Sequence, residues 1–275
     1  MIQPVLQHDE FLADVRSANV MDGNFRLWWL GQSGFLLQWQ GSHILLDPYL
    51  SDSLTRKYAN TDKPHIRMTS RIVDPARLDF IDVVTSSHNH TDHLDAETLC
   101  PLLRANPGMK IVAPEANRQF VAERLSIDSN LPLGLRDGES VSVGKFIITA
   151  VPAAHEELSA SYLGYIVRFG PWAVYHSGDT VLYKGMAERL RQFSIDVALL
   201  PINGRAPERR VAGNLNAREA AELGKTIGAR LVIPCHYEMF TFNTADPRDF
   251  IEAAEAVGQP YRVLRCGERW DSQGL

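Results

Sequence analysis

Apolar and polar positions along this chain come in short blocks rather than in one sustained helical period. FRLWWL (25–30), GFLLQW (34–39) and HILLD (43–47) are apolar runs punctuated by Gly31 and Gly41, which predicts three short strands of a β-meander. Neighbouring side chains of a strand face opposite ways, so Trp28 and Trp29 cannot share a side. One belongs to the core, and the other meets a covering layer or a partner. Residues 8–18 suit a short helix. IDVVTSS (81–87) reads as a buried strand running out into small polar residues, followed by a helix from about Asp95 to Arg104 with Asp95 in a capping position. Residues 110–113 make another strand, and 115–125 a helix with Phe120 and Val121 facing inward. Two strands around Gly144 fill 139–151, and 162–169 pairs with 172–177 in a hairpin about Gly170 and Pro171.

In the last third, helices at about 183–192, 216–227 and 247–257 alternate with strands at 195–201, 229–234 and 261–265. No fixed repeat is visible, which argues against a solenoid. Hairpins in both halves followed by strand–helix alternation predict an α/β chain with two mixed β-sheets face to face and helices outside, a four-layer αββα sandwich. No Pro/Gly/Ser-rich linker divides the chain, so a single domain over 1–275 is expected. Only residues 48–80 break the pattern. This long irregular stretch is the most basic in the chain, with Arg56, Lys57, His65, Arg67 and Arg71. It reads either as a loop or helical flap bordering a site, or as a solvated or subunit-contacting excursion.

Composition narrows the class. With 275 residues, 45% hydrophobic and 22% charged, wholesale disorder, a collagen-like repeat and a coiled-coil rod are excluded. The net charge of −5, from 28 Lys+Arg against 33 Asp+Glu, gives no global basic field for nucleic acid, though a local anion site stays open. No apolar run approaches the length of a membrane span. Three cysteines cannot close a disulfide framework, and the acidic N-terminal segment does not resemble a signal peptide, so a cytoplasmic location is expected. No Gly-x-Gly-x-x-Gly follows a strand, and a phosphate-loop lysine and a serine-hydrolase elbow are also missing.

The chemistry concentrates in SSHNHTDHLD (86–95), where His88, His90, Asp92 and His93 fall within six positions just past a buried strand. Imidazole suits zinc and similar transition metals, and a nearby carboxylate adds a second ligand type. His88 and His90 can converge on one ion from an extended backbone. Asp92 and His93, after a turn, can reach a second. Three further candidates sit just past predicted strands: His155 after FIITAV, Asp179 in SGDT and His236 in PCHYE. His176, Asn203 and Arg205 are candidate substrate contacts. For His176 the alternative is a satisfied histidine at a strand end; for Arg205 it is a structural ion pair. Cys235 should point away from its neighbour His236 and form a buried thiol.

The order His-x-His-x-Asp-His, then His, Asp and His each after a strand, resembles the metallo-β-lactamase superfamily of metal-dependent hydrolases. WWLG (28–31), LLDPYL (45–50), YHSGDT (175–180), PINGR (201–205) and IPCHYEMF (233–240) are similar to the ascorbate-6-phosphate lactonase group, and the likeness runs from about residue 25 to 268. The resemblance implies a metallo-β-lactamase-like sandwich and two divalent metal ions, Zn or Mn. His88, His90 and His155 would hold one, Asp92, His93 and His236 the other, with Asp179 bridging. It also implies a homo-oligomer, for which the two tryptophans and the 48–80 excursion offer surface. The expected activity is hydrolysis by a metal-activated hydroxide that Asp92 orients and Asp179 tunes, acting on a small-molecule substrate of anionic character, a sugar lactone with or without a phosphate group. A phosphodiesterase, including a phospholipase-D-like one, and a metal-stabilised binding protein without turnover are the alternatives.

Overall fold

The computed structural model describes residues 1–18, 23–155 and 157–275. In chain order its principal elements are α1 (His8–Ser17), β1 (Phe25–Gly31), β2 (Gly34–Trp39), β3 (Ser42–Leu46), α2 (Ser53–Lys57), β4 (Val83–Thr85), α3 (Ala96–Ala105), β5 (Lys110–Pro114), α4 (Arg118–Leu125) and β6 (Pro132–Leu135). Then follow β7 (Ser140–Val143), β8 (Phe146–Ala154), β9 (Leu158–Phe169), β10 (Trp172–His176), α5 (Met186–Leu190), β11 (Val197–Pro201), α6 (Ala217–Ile227), β12 (Leu231–Cys235), α7 (Pro247–Val257) and β13 (Arg269–Asp271). One sheet has the order β13-β1-β2-β3-β4-β5-β6 and the other β12-β11-β10-β9-β8-β7. Both are mixed, and helices flank them in the αββα sandwich that the alternation predicts. No helix among the described residues is long and apolar enough to cross a membrane.

The two inner faces meet through aromatic rings. Phe25 of β1 and Trp39 of β2 approach Phe169 of β9 with centroids 5.2 and 5.7 Å apart. The alternation along β1 sends Phe25 and Trp29 inward and Trp28 outward. Trp28 is covered by α1, its Nε1 donating to Asp14 at 2.8 Å, while Trp29 packs on Tyr237 with centroids 4.3 Å apart. Both are fully buried within the chain, so neither supplies the surface for assembly expected of them.

Strand direction gathers the chemistry. β8 and β10 each pair antiparallel with β9 and so run the same way, and β10, β11 and β12 are mutually parallel. The residues that follow β8, β10, β11 and β12 therefore leave the sheet at one edge. On the other sheet β3, β4, β5 and β6 are parallel, and β4 releases the histidine-rich loop.

Several elements differ from expectation. Residues 261–265 form no strand: pairing with β12 is confined to a bridge at Tyr261, just after Pro260, which has no N–H to give. The strands β6 and β13 are additional, the latter a three-residue edge on β1. The helix near 183–192 is shortened to α5 plus a 3₁₀ turn at 191–193, with Gly185 ahead of it at φ +88°. Residues 115–117 are 3₁₀ rather than α, and α4 buries Val121, Ala122 and Leu125 but leaves Phe120 exposed. The 48–80 stretch is tied down: it carries α2, Met68 N–H donates to the Met239 carbonyl at 2.8 Å, and Arg67 Nε donates to Asp52 at 2.7 Å.

His43 on β3 gives the fold a titratable core group. Its ring is buried against Phe80, its Nε2 lies 3.0 Å from the Gln38 amide, and Nδ1 has no partner. Burial lowers its pKa from 6.5 to about 4, with nearby Asp82 opposing. The unfolded chain therefore binds the proton first as pH falls. The contribution of neutral His43 is complete above about pH 6.5 and is lost on the way down to about 4, on the order of 3 kcal/mol. Urea unfolding across this window should give a flatter stability curve for His43→Gln than for the parent chain; identical slopes would contradict the assignment.

Candidate metal centre

The loop after β4 is held open by backbone and hydroxyl bonds before it turns. Ser86 N–H donates to Val112 O at 2.9 Å, Leu163 N–H to Ser87 O at 3.0 Å, and Tyr165 Oη to Ser86 O at 3.0 Å. A turn then closes with His93 and Leu94 N–H donating to the His90 carbonyl at 3.1 and 2.8 Å. This extended-then-turned path sends His88 and His90 one way and Asp92 and His93 another. Ligand atoms of His88, His90 and His155 lie within 4.8 Å of one another, and so do those of Asp92, His93 and His236.

Asp179 sits between the two groups. Its Oδ2 lies 3.4 Å from His93 Nε2, 3.7 Å from His155 Nε2 and 3.3 Å from His236 Nε2. Gly178 makes this approach feasible. At φ +59° it occupies left-handed space, and a Cβ there would fall 2.5 Å from Ser87 Cβ. Thr180 Oγ1 accepts from Ala154 N–H at 2.9 Å, which ties the Asp179 loop to the end of β8 beside His155. His236, also left-handed at φ +65°, is fixed by its N–H donating to Gln32 O at 2.9 Å.

The ring nitrogens are sorted. His93 Nδ1 faces Asp47 Oδ2 at 2.7 Å, His155 Nδ1 the Gly213 carbonyl at 3.0 Å and His88 Nδ1 the Ser87 hydroxyl at 3.0 Å. Their Nε2 atoms point into the cluster, and those of His88 and His93 are buried with no hydrogen-bond partner. Unpaired buried imidazole nitrogens converging with carboxylates, each backed on the far nitrogen, fit divalent metal ions. Asp47, His88 and His93 also group within 4.8 Å. Asp47, however, spends its oxygens on the Ser87 N–H and hydroxyl and on the outer nitrogen of His93, so it orients that ring.

The charges of the cluster lean on one another. Burial opposes ionisation of Asp179, yet His236 and His93 outweigh it and hold the carboxyl well below its usual range. Burial likewise disfavours charged His93, but the Asp179 and Asp92 carboxylates raise its pKa well above 6.5. His88 and His155, where burial dominates, are pushed down.

Three residues expected at the substrate stand elsewhere. His176 is buried behind the site, with Nε2 on the Ser33 carbonyl at 2.8 Å and Nδ1 accepting from Gly178 N–H at 3.3 Å. It is the satisfied strand-end histidine, and its bonds brace the Asp179 turn. Arg205 forms a two-point pair with Glu219 at 2.6 and 3.0 Å, on the residue that completes the capping box of α6. That is the structural ion pair. Asn203 bonds the side chains of Asn243 and Asn214 at 2.9 and 3.0 Å, one residue removed from the cavity.

A cavity of about 470 Å³ opens onto the centre. Gln32, unmarked by any sequence motif, reaches it from the β1–β2 turn, its Nε2 2.8 Å from Asp92 Oδ2 and 3.0 Å from His236 Nε2. Gln32 escapes sequence reading, and Asp47, inside the LLDPYL run, receives no role there, because each matters through a partner 46, 60 or 204 positions away.

Imidazoles and carboxylates gathered from both sheets at one end of a layered α/β sandwich fit a metal-dependent hydrolase. The chain belongs to the β-lactamase superfamily, whose domain model, described as "Beta-lactamase superfamily domain", matches residues 42–237. It is similar to a UPF0173 metal-dependent hydrolase of Opitutus terrae, 34% identical over 257 residues that cover 88% of this chain and 98% of the relative. Another from Caldivirga maquilingensis is 29% identical over 236 residues, 86% of this chain and 92% of that one. Among solved structures, Igni18, a metallo hydrolase from the archaeon Ignicoccus hospitalis, superposes with a TM-score of 0.67 at 24% identity, covering 90% of this chain and 98% of that chain.

Replacing Asp47 removes the carboxylate behind His93 without touching the cavity. Asp47→Asn is expected to weaken divalent-metal binding by about 10- to 100-fold in chelator competition, with circular dichroism unchanged. Unaltered metal affinity would show that His93 is oriented by other contacts.

Proposed function

We propose that this chain hydrolyses a small anionic ester or lactone using two divalent ions, zinc or manganese. His88, His90 and His155 would hold one, Asp92, His93 and His236 the other, and Asp179 would face both. The observation that carries this reading is the place of Asp179 Oδ2, within 3.3–3.7 Å of histidine nitrogens from both groups. Ions bound there would supply an activated water at neutral pH and a Lewis acid for the scissile carbonyl.

The chain's own groups complete the arrangement. Asp92, on the cavity wall, accepts from Gln32 Nε2, which fixes one carboxylate oxygen and leaves the other to orient a water or take its proton. Burial works against its charge, but His93 and His236 keep the carboxyl below its ordinary range, so Asp92 is ionised at neutral pH. Asp179 is almost closed off from solvent, and its backing by Ser33 and Gly178 gives it a fixed direction.

The protein should be loaded with zinc or manganese, its metal content counted, and kcat/KM ranked over sugar lactones, phosphorylated lactones and phosphodiesters. Highest turnover on lactones is the expected result; a preference for phosphodiesters assigns the same site to phosphorus, and full metal with no turnover on any of the three defeats the hydrolytic reading. Asp179→Asn should lower kcat at least about 100-fold with an unchanged circular dichroism spectrum. Near-normal kcat at full metal content would remove Asp179 from its central role.

A further inference from the structure

The cavity lining is lopsided in charge. Its acids are Asp92 and Asp179, both turned to histidines, whereas Lys57, Lys63, Arg124 and Arg210 bring four cations in a chain of net charge −5. Three of the four are engaged. Arg124 donates to the carbonyls of Asn89 and Leu94 at 2.6 and 3.1 Å, Arg210 pairs with Asp62, and Lys63 Nζ donates to the Arg210 carbonyl at 2.6 Å. Lys57, in the last turn of α2, meets only the ring of Tyr58 among the described residues, with Nζ 5.2 Å from the centroid. Among the described residues no carboxylate stands within ion-pair distance of it.

Beside Lys57 the lining is aromatic. Tyr58 stacks on the His65 ring with centroids 4.4 Å apart and planes at 25°, and His65 meets Phe240 and Phe242, each at 5.2 Å. Burial lowers the pKa of His65, and its Nδ1 faces the Lys63 carbonyl at 2.9 Å, so this ring is neutral at pH 7 and extends an apolar surface. A free ammonium beside flat rings discriminates by charge and by shape together: the cation attracts an anion into the cleft, and the rings favour a planar apolar body.

We propose that Lys57, with the aromatic wall of Tyr58, His65 and Phe242, is the specificity face of the cavity, selecting substrates that join a flat apolar body to an anionic group remote from the bond that is cut. The assignment of this face to a substrate rests on the hydrolytic reading above, whereas its binding preference can be measured without turnover.

Titration calorimetry with 2-naphthoate and its neutral counterpart 2-naphthamide, on the full chain both zinc-loaded and after chelator treatment, measures that preference. Lys57→Met should weaken naphthoate binding roughly three- to fivefold in both states and leave naphthamide binding unchanged, the scale of one solvent-exposed ion pair. Phe242→Leu should weaken both ligands. Equal effects of Lys57→Met on the two ligands, or none on either, would overturn the inference. A parallel assay compares 4-nitrophenyl hydrogen adipate with 4-nitrophenyl hexanoate on the zinc-loaded enzyme, where Lys57→Met should erase a preference for the charged ester. Absence of turnover on both esters, with the naphthoate result intact, would count against hydrolysis and leave the anion-selective face standing.

Discussion

Asp179 brings a buried carboxylate up against imidazoles from three separate loops, and much of the architecture follows from making that tolerable. A carboxylate removed from water is costly unless opposite charge or hydrogen-bond donors replace its hydration. Here the Nε2 atoms of His93 and His236, 3.4 and 3.3 Å from its Oδ2, face it, and divalent ions would supply opposite charge. The supporting contacts all restrict freedom around this point. Gly178 lets the turn approach Ser87, His176 ties the same turn to Ser33, and Asp47 fixes the far side of the His93 ring. Each reduces the number of positions available to Asp179 and the histidines.

The sheets supply the rigidity behind those contacts. β8, β10 and β12 run in one direction and are stitched through β9 and β11, so three chain segments far apart in sequence emerge side by side. The aromatic contacts of Phe25 and Trp39 with Phe169 lock this sheet to the one that carries the His88–His93 loop. A shift between the sheets would part His155, Asp179 and His236 from the His88–His93 loop and so split both groups, which couples packing of the inner faces to the spacing of the ligand atoms.

Around this rigid base the chain distributes charge unevenly. The molecule as a whole is acidic, yet the cavity presents lysines and arginines, two of them from the basic 48–80 segment that also contributes Tyr58 and His65. That segment has little regular structure because its hydrogen bonds go to Ile2, Met239 and Phe240's neighbours rather than to a sheet of its own. Its length is spent on enclosing the cavity.

The periodicities of the chain, by themselves, determined most strands of both sheets, though not β6 or β13, together with the principal helices and the sandwich class, because burial patterns and turn residues are local signals. The dense ligand run His88–His93 was equally legible, and the single candidates His155, Asp179 and His236 could be singled out from their place after strands. Tertiary structure alone decided the rest. Residues 261–265 carry a strand-like pattern but pair only at Tyr261, and three-residue β13 forms because β1 offers it an edge. Arg205 looked like an anion reader from its position after β11, yet Glu219, on the first turn of α6, takes both of its outer nitrogens. Gln32 has no local signature, and the LLDPYL run marks Asp47 without giving its role, because their significance lies in the ring nitrogen or carboxylate they meet across the fold. A sequence specifies which groups can ionise or donate, but which partner each one meets depends on long-range packing, and that pairing separates a ligand or a substrate contact from a brace.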